Sequence, residues 1–187
     1  MDKKEMMQKA YDLGFKYEQD YRGCAQCAVA AIQDALGIKN DWVYKASSGL
    51  AGGAGECVDG ICGGYSGGTM VMSTFFGRTR KEEGTTFGRK EKYDSFRMAA
   101  ALHDKYMEKY GTVTCADIHK KVFGRPFYLR DDEQKQAFRD AGAHENEAKC
   151  CVVVGDGARW AIELILDEIE SRGMKLEDFK DLQYEAE

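Results

Sequence analysis

Seven cysteines are the residues best suited to chemistry in this 187-residue chain. Thiolates bind soft metals and iron–sulfur clusters, and paired thiols exchange with disulfides. The first residues, Met-Asp-Lys-Lys-Glu-Met-Met, lack the apolar segment of a secretion signal. We therefore expect a cytoplasmic, reducing location, where cysteines more often serve as metal ligands or redox groups than as structural disulfides. They are Cys24, Cys27, Cys57, Cys62, Cys115, Cys150 and Cys151.

The spacing of these cysteines leaves more than one chemistry open. Cys24 and Cys27 form a CxxC pair that could act as a thiol–disulfide oxidoreductase, although the βαβ context of thioredoxins is absent. Ala28 stands where covalent haem attachment requires histidine, so that chemistry is excluded at this pair. Cys57 and Cys62 could form a second redox pair if a loop brings them together. A structural zinc site is a further alternative, without the regular CxxC…CxxC spacing of zinc ribbons.

The three histidines receive different predictions. His119 follows Cys115 by four residues, so the two could share one helix face and form a mixed site. His103 lies on the apolar side of a predicted helix, and we expect it to be in the core or half-buried rather than a ligand. His144 lies in a polar stretch, and we expect it to be exposed.

Residues 49–68 contain nine of the chain's 21 glycines. Such a segment is either a flexible linker or a tight cradle whose backbone approaches a ligand closely. The apolar sequence TMVMSTFF follows it directly, which favours a cradle leading into a helix that ends at about Phe76. We expect Gly63, Gly64 and Gly67 to contact a cofactor bound near Cys62.

The elements that must position these residues are predicted to be helical, since apolar residues recur at three- and four-residue steps. Only Val152–Val154 could form a strand. The charged segments 78–92 and 125–149 are expected to be loops, the first a solvated surface. The fold class is therefore all-α, a helical bundle in a single domain over 1–187. The predicted helices cover 2–21, 24–36, 41–50, the segment to about Phe76, 93–110, 114–123 and 151–172.

Several cysteines stand where these helices are predicted to begin. Cys24 follows Gly23, and Cys62 lies near the start of the helix that leaves the glycine-rich segment. Cys150 and Cys151 open the last helix. Thr114 is the candidate cap before Cys115, in a Thr-Cys-Ala-Asp capping box. A helix N-terminus lowers the pKa of a thiol and favours the thiolate. If these four helix starts converge, the site suits an anionic, thiolate-ligated cluster.

Charge and hydropathy exclude some partners. The formal net charge is −5, which makes nucleic acid and anionic membrane surfaces poor partners. No apolar run approaches the ~18 residues of a membrane span. We therefore expect neither a nucleic acid nor a membrane to be involved.

The segment Cys62-Gly63-Gly64-Tyr65-Ser66-Gly67 resembles the CGAxxG motif of the C_GCAxxG_C_C family of redox-active proteins, with glycine in place of the alanine. The resemblance covers about residues 5 to 172 apart from the two charged segments, which look longer than usual. It implies a cytoplasmic redox protein of a kind found mostly in anaerobic prokaryotes. A similar domain occurs in split-Soret cytochromes, where it is associated with an iron–sulfur cluster in a dimeric protein.

The resemblance also implies the ligands. Cys24, Cys62, Cys115 and Cys150 match the family's four cysteines, with Cys151 an alternative to Cys150. We take Cys57 as the leading substitute ligand. Four thiolates suit a [2Fe–2S] or a [4Fe–4S] cluster. The expected function is electron transfer with a redox partner protein, and a homodimer is a further expectation; whether the protein is also an enzyme stays open.

Overall fold

The computed structural model describes residues 1–145 and 149–186, and it is all-α, as predicted. Short 3-10 turns at Ser48–Leu50, Arg80–Glu82 and Leu176–Leu182 supplement the α-helices. Within the described ranges, extended backbone pairs only in two isolated bridges. The α-helices are α1 Lys3–Asp20, α2 Cys24–Leu36, α3 Asp41–Ala46, α4 Gly63–Phe76, α5 Thr86–Tyr110, α6 Cys115–Phe123, α7 Asp132–Asp140 and α8 Cys150–Ser171.

Helix α5 begins earlier than the sequence predicts. The Thr85 hydroxyl accepts a hydrogen bond from the Gly88 N–H at 2.9 Å and caps the helix there. The prediction of a loop over 78–92 is therefore wrong for its C-terminal part. One charged residue of this segment, Glu91, is buried, because it pairs with Arg172 at 3.0 Å.

The segment 125–149 contains a helix that the sequence analysis missed. The Asp131 carboxylate caps α7 by accepting from the Gln134 N–H at 2.8 Å. Phe138 is the buried residue of this otherwise polar helix, so a single apolar side chain gave too weak a periodicity to be recognised. Residues 146–148 of the predicted loop lie outside the described residues.

Two smaller predictions also need correction. Val152–Val154 is not a strand, because these residues belong to the first turns of α8. The helix predicted over 41–50 ends at Ala46, and the Ser47 hydroxyl donates to the Tyr44 carbonyl at 2.7 Å where the chain turns. The remaining helix predictions agree with the structure to within a few residues.

Helix α8 is the centre of the bundle and packs against α1, α2, α4 and α5. Small residues permit close helix contacts. A Cβ added to Gly14 on α1 would lie 3.1 Å from the Gly155 Cα on α8, and one on Gly67 of α4 would lie 2.9 Å from the Ala28 Cβ on α2. These close approaches fix the position of the α2, α4 and α8 N-termini relative to one another.

A second apolar cluster flanks the bundle and is built by α6, α7 and the adjoining loops. Phe127, Leu129 and Phe138 are buried in it together with Val58 from the glycine-rich segment. The His119 ring stacks on Phe138 with the ring centroids 4.9 Å apart. The cluster forms one side of the cavity described below.

Within residues 1–145 and 149–186, none of the helices combines the length and the apolar character needed to cross a membrane.

Candidate metal centre

Four helices begin at a cysteine, and their starting points meet. Cys24, Cys115 and Cys150 are the first residues of α2, α6 and α8, and Cys62 directly precedes α4. All four cysteines line one cavity of about 130 Å³. The structure thus brings together the four cysteines that the family resemblance selected.

The N-termini of these helices differ from those of the other four. Helices α1, α3, α5 and α7 each have a side-chain cap. Among the described residues, no side-chain oxygen caps α2, α4, α6 or α8. These ends carry the partial positive charge of a helix N-terminus, which favours an anionic group nearby. The four capping residues are Asp2, Asn40, Thr85 and Asp131.

The capping box predicted at Thr114 is absent. Instead, the Cys115 N–H donates to the Gly60 carbonyl at 2.9 Å, and the Ala116 N–H donates to the Val58 carbonyl at 2.8 Å. The glycine-rich segment thereby supplies backbone acceptors to the first turn of α6. This arrangement ties the position of Cys115 to the loop that precedes Cys62.

A short antiparallel bridge joins the two cysteine-bearing segments directly. Ile61 pairs with Thr114, and the Cys62 N–H donates to the Val113 carbonyl at 2.8 Å. Each bridge residue stands immediately before its cysteine in the chain. Cys62 and Cys115 are therefore positioned by backbone hydrogen bonds rather than by side-chain packing alone.

The glycine-rich segment forms a hydrogen-bonded turn and not a flexible linker. Residues 52–56 all have positive φ, from 60° to 74°, and two of them, Ala54 and Glu56, are not glycine. The turn directs the Gly52 N–H at the Cys24 sulfur, 3.4 Å away. A Cβ on Gly53 would lie 3.0 Å from the Cys115 Cβ, so the turn lies close to two of the four cysteines.

The three glycines predicted to bind a cofactor occupy different surroundings. Gly63 lies against Cys24, and a Cβ added to it would overlap the Cys24 sulfur. Gly64 lies against Tyr106, and Gly67 against Ala25 and Ala28, so both serve helix packing. Contact between these glycines and a cofactor stays a prediction.

The remaining cysteines point elsewhere. Cys57, our substitute ligand, is not part of the cavity wall, and its sulfur lies 3.9 Å from an Arg130 nitrogen. The Cys27 sulfur lies 3.1 Å from the Arg22 carbonyl, and the buried Cys151 sulfur 3.9 Å from the Ala143 carbonyl. Of the adjacent pair on α8, Cys150 is the one that lines the cavity.

Burial, not the helix N-terminus, dominates the acidity of the cavity thiols. Burial raises the pKa of Cys62 to about 11, although the Gly64 and Tyr65 N–H groups directed at its sulfur favour the thiolate. For Cys24 and Cys150, burial and then the nearby Glu18 carboxylate raise the pKa well above its usual value. The prediction of lowered pKa values is wrong for these thiols, since desolvation of the charged form outweighs the effect of the helix N-termini.

The four thiols also act on one another. After burial, the charges of Cys62 and Glu18 are what raise the pKa of Cys115. The pKa of Cys150 is raised by burial and then by Glu18, Cys62, Cys115 and Cys24. Ionisation of one cavity thiol therefore disfavours ionisation of the others, and positive charge between them would favour all four thiolates.

Glu18, His119 and His144 also line the cavity, and the sequence did not indicate Glu18. Glu18 is 4% exposed and lies on the buried stripe of α1 with Ala10 and Gly14, a four-residue spacing that could have revealed it. His119 is buried with its Nε2 3.7 Å from the Cys115 sulfur, which agrees with a shared helix face. Burial lowers the pKa of His119 to about 4.

The prediction for His144 is wrong, and that for His103 holds. The His144 side chain is only 13% exposed, with its Nε2 3.6 Å from a Glu18 oxygen, because the segment after α7 folds back over the cavity. The His103 side chain is 43% exposed at the edge of α5. It lies outside the cavity wall.

The chain was compared with known protein families. Residues 23–164 match the family model described as "Putative redox-active protein (C_GCAxxG_C_C)". The chain belongs to this family. The match includes all four cavity cysteines and confirms the resemblance that the sequence indicated. No curated protein and no solved structure matches the chain.

The chemistry of the cavity wall suits a thiolate-ligated metal group. Four thiols line the cavity together with the carboxylates of Glu18 and Glu56, and among the described residues the buried Glu18 Oε2 atom has no hydrogen-bond partner. Within residues 1–145 and 149–186, no three cysteine, histidine or acidic side chains gather closely enough to hold a single metal ion. The donor side chains therefore line a cavity and do not form a compact site for one ion.

Proposed function

We propose that this protein transfers electrons through an iron–sulfur cluster held by Cys24, Cys62, Cys115 and Cys150. The observation that carries the proposal is the convergence of four cysteines, each at the start of a different helix, on one cavity. A bound cluster supplies a centre that accepts and releases one electron. The chain supplies thiolate ligands, uncapped helix ends and a water-poor surrounding.

Three features favour a cluster over a single zinc ion. The thiols surround a cavity of about 130 Å³ without forming a compact site for one ion. Zinc takes four ligands, whereas this wall offers four thiols and also the carboxylate of Glu18. The family itself is described as redox-active, and zinc has no redox chemistry.

The dithiol alternatives gain less support. Cys24 lines the cavity, whereas the Cys27 thiol is directed at the Arg22 carbonyl. Cys62 is buried in the cavity wall, whereas Cys57 lies outside it near Arg130. Burial also raises the pKa of Cys27 and Cys62, which disfavours the thiolate that disulfide exchange requires.

The proposed electron transfer implies a partner protein and a cellular location. An electron-transfer protein requires a donor and an acceptor, so we infer a redox partner protein as its partner, and we keep a homodimer as a proposal. All seven cysteines are free thiols, which suits the reducing cytoplasm of an anaerobic prokaryote. Whether the electron reaches a substrate on this chain or on its partner decides whether the protein is an enzyme.

The proposal is tested by isolating the protein without oxygen. We expect a brown protein that contains iron and acid-labile sulfide in equal amounts and is bleached by dithionite. A colourless protein that takes up no iron after incubation with iron and sulfide would exclude the cluster. One equivalent of zinc in such a preparation would support the structural alternative, and a reversible two-thiol oxidation without metal would support the dithiol alternative.

A further inference from the structure

Glu18 is a carboxylate in a place where carboxylates are seldom found. It occupies the buried stripe of α1, which otherwise consists of Ala10 and Gly14. Its side chain is 5% exposed and lines the cavity together with the four thiols. A buried charged group destabilises the fold unless a partner of opposite charge compensates it.

The partners of Glu18 do not compensate it fully. Among the described residues its buried Oε2 atom has no hydrogen-bond partner, and the nearby Cys27 thiol brings no positive charge. Its Oε1 atom lies 3.6 Å from the His144 Nε2, longer than an ordinary hydrogen bond. The same wall contains three cationic side chains, those of Arg22, Lys135 and Arg139. Lys135 pairs with Glu56 at 2.7 Å, and within the described ranges no lysine or arginine lies within ion-pair distance of Glu18.

The electrostatics of the thiols indicate where the missing positive charge belongs. After burial, the Glu18 charge is the next largest cause that raises the pKa of Cys24 and of Cys150. An ionised thiol at Cys24 or Cys150 would therefore carry the same sign of charge as the nearby carboxylate. A strongly positive group between them would favour the ionised form of all five donors at once.

We propose that Glu18 is a ligand of the metal centre and binds one iron through Oε2, as a fifth protein donor beside the four thiolates. This inference rests on the proposed cluster. A carboxylate oxygen is a hard donor that suits ferric iron, and it makes that one iron different from the others. His144 then acts as a positioning residue that holds the second oxygen of the carboxylate.

The test uses the full chain, reconstituted with ⁵⁷Fe and sulfide, and Mössbauer spectroscopy. For the wild type we expect one iron population with a higher isomer shift than the rest. In Glu18→Gln that population is lost while the iron content is kept. Glu18→Asp retains the charge but is one methylene shorter, so it is expected to weaken the signal and serves if the amide variant does not fold.

Two control variants distinguish iron ligation by Glu18 from an effect of its charge and from a structural effect of its contact with His144. Glu56→Gln removes a carboxylate of the same cavity wall that Lys135 already pairs, and it should leave the distinct iron unchanged. His144→Gln should leave it in place with a small change in quadrupole splitting. If Glu18 only pairs with His144, the Glu18→Gln and His144→Gln spectra will change alike, which overturns the inference.

The outcomes also separate this inference from the proposed function. Wild-type protein that binds iron and sulfide, with a spectrum that Glu18→Gln does not alter, overturns the ligand role and leaves the cluster standing. Wild-type protein that binds no iron overturns both. A distinct iron that is lost in Glu18→Gln and kept in Glu56→Gln supports both.

Discussion

The Cys24 sulfur lies against Gly63 in the space that a Cβ on Gly63 would fill. Gly63 directly follows Cys62, so the start of α4 makes room for the cysteine that begins α2. Two of the proposed ligands are thereby brought together by the absence of a side chain. This contact explains in physical terms why a glycine follows the cysteine in the motif of this chain.

Replacing Gly63 by alanine tests this contact. The new methyl group would overlap the Cys24 sulfur and lie 2.7 Å from the Ala25 nitrogen, so we expect a loss of ~1–3 kcal/mol in the free energy of unfolding. We also expect a lower cluster content or a shifted reduction potential. Urea unfolding and a redox titration measure the two effects.

Gly49→Ala is the matched control for this variant. Gly49 belongs to the same glycine-rich segment, has no unusual φ and has nothing within 4 Å of its added Cβ. Its replacement should change the free energy of unfolding by less than ~1 kcal/mol and leave the cluster unchanged. Equal effects of the two substitutions would show that the Gly63 contact has no special role.

The acidity of the cavity thiols predicts the pH dependence of their reactivity in metal-free protein. Because burial raises the pKa of Cys62 to about 11, this thiol is protonated at neutral pH. Its rate of alkylation by iodoacetamide should therefore rise about tenfold for each pH unit between pH 7 and pH 9. Mass spectrometry of the Cys62 peptide after timed alkylation measures the rate, and a rate independent of pH would indicate a thiolate stabilised by the helix end.

The burial of His119 predicts that the free energy of unfolding depends on pH. Burial lowers its pKa from 6.5 to about 4, so between these values the unfolded chain binds a proton that the folded chain does not. The free energy of unfolding should therefore fall as the pH decreases through this window. At pH 5 the contribution of His119 to this loss is about 2 kcal/mol.

Urea unfolding of His119→Gln at pH 7 and pH 5 isolates this contribution. The difference between the two pH values should be smaller in this variant than in the wild type. His103→Gln is the control, since the His103 side chain is 43% exposed and should leave the difference unchanged. An equal difference in all three proteins would show that His119 does not cause the acid sensitivity.

The sequence predicted the main helices better than it predicted the segments that connect them. Helices with several apolar residues per turn, such as α2 and α8, were recognised from periodicity alone. Helix α7 was missed because Phe138 is its only buried residue, and α5 was predicted too short because the cap at Thr85 precedes a charged stretch. A local sequence pattern reveals a helix only where buried apolar residues recur along that helix.

The sequence alone does not show that the four cavity cysteines come together in space. The four cysteines were assigned by motif and by helix starts, but the Ile61–Thr114 bridge that joins two of them links residues far apart in the chain. Glu18 was overlooked because a glutamate in a charged amphipathic helix is ordinarily exposed. Its role depends on which side of α1 faces α8, and only the packing of the whole bundle decides that.

In the proposed function four of the seven cysteines share one metal centre, and the iron content of seven single cysteine-to-serine variants tests which four they are. Each variant is isolated without oxygen, and iron and sulfide per chain are compared with the wild type. We predict that Cys24→Ser, Cys62→Ser, Cys115→Ser and Cys150→Ser lose most of the cluster, because their thiols line the cavity. Cys27→Ser, Cys57→Ser and Cys151→Ser should retain it. Loss of the cluster in Cys57→Ser together with its retention in Cys150→Ser would contradict the account.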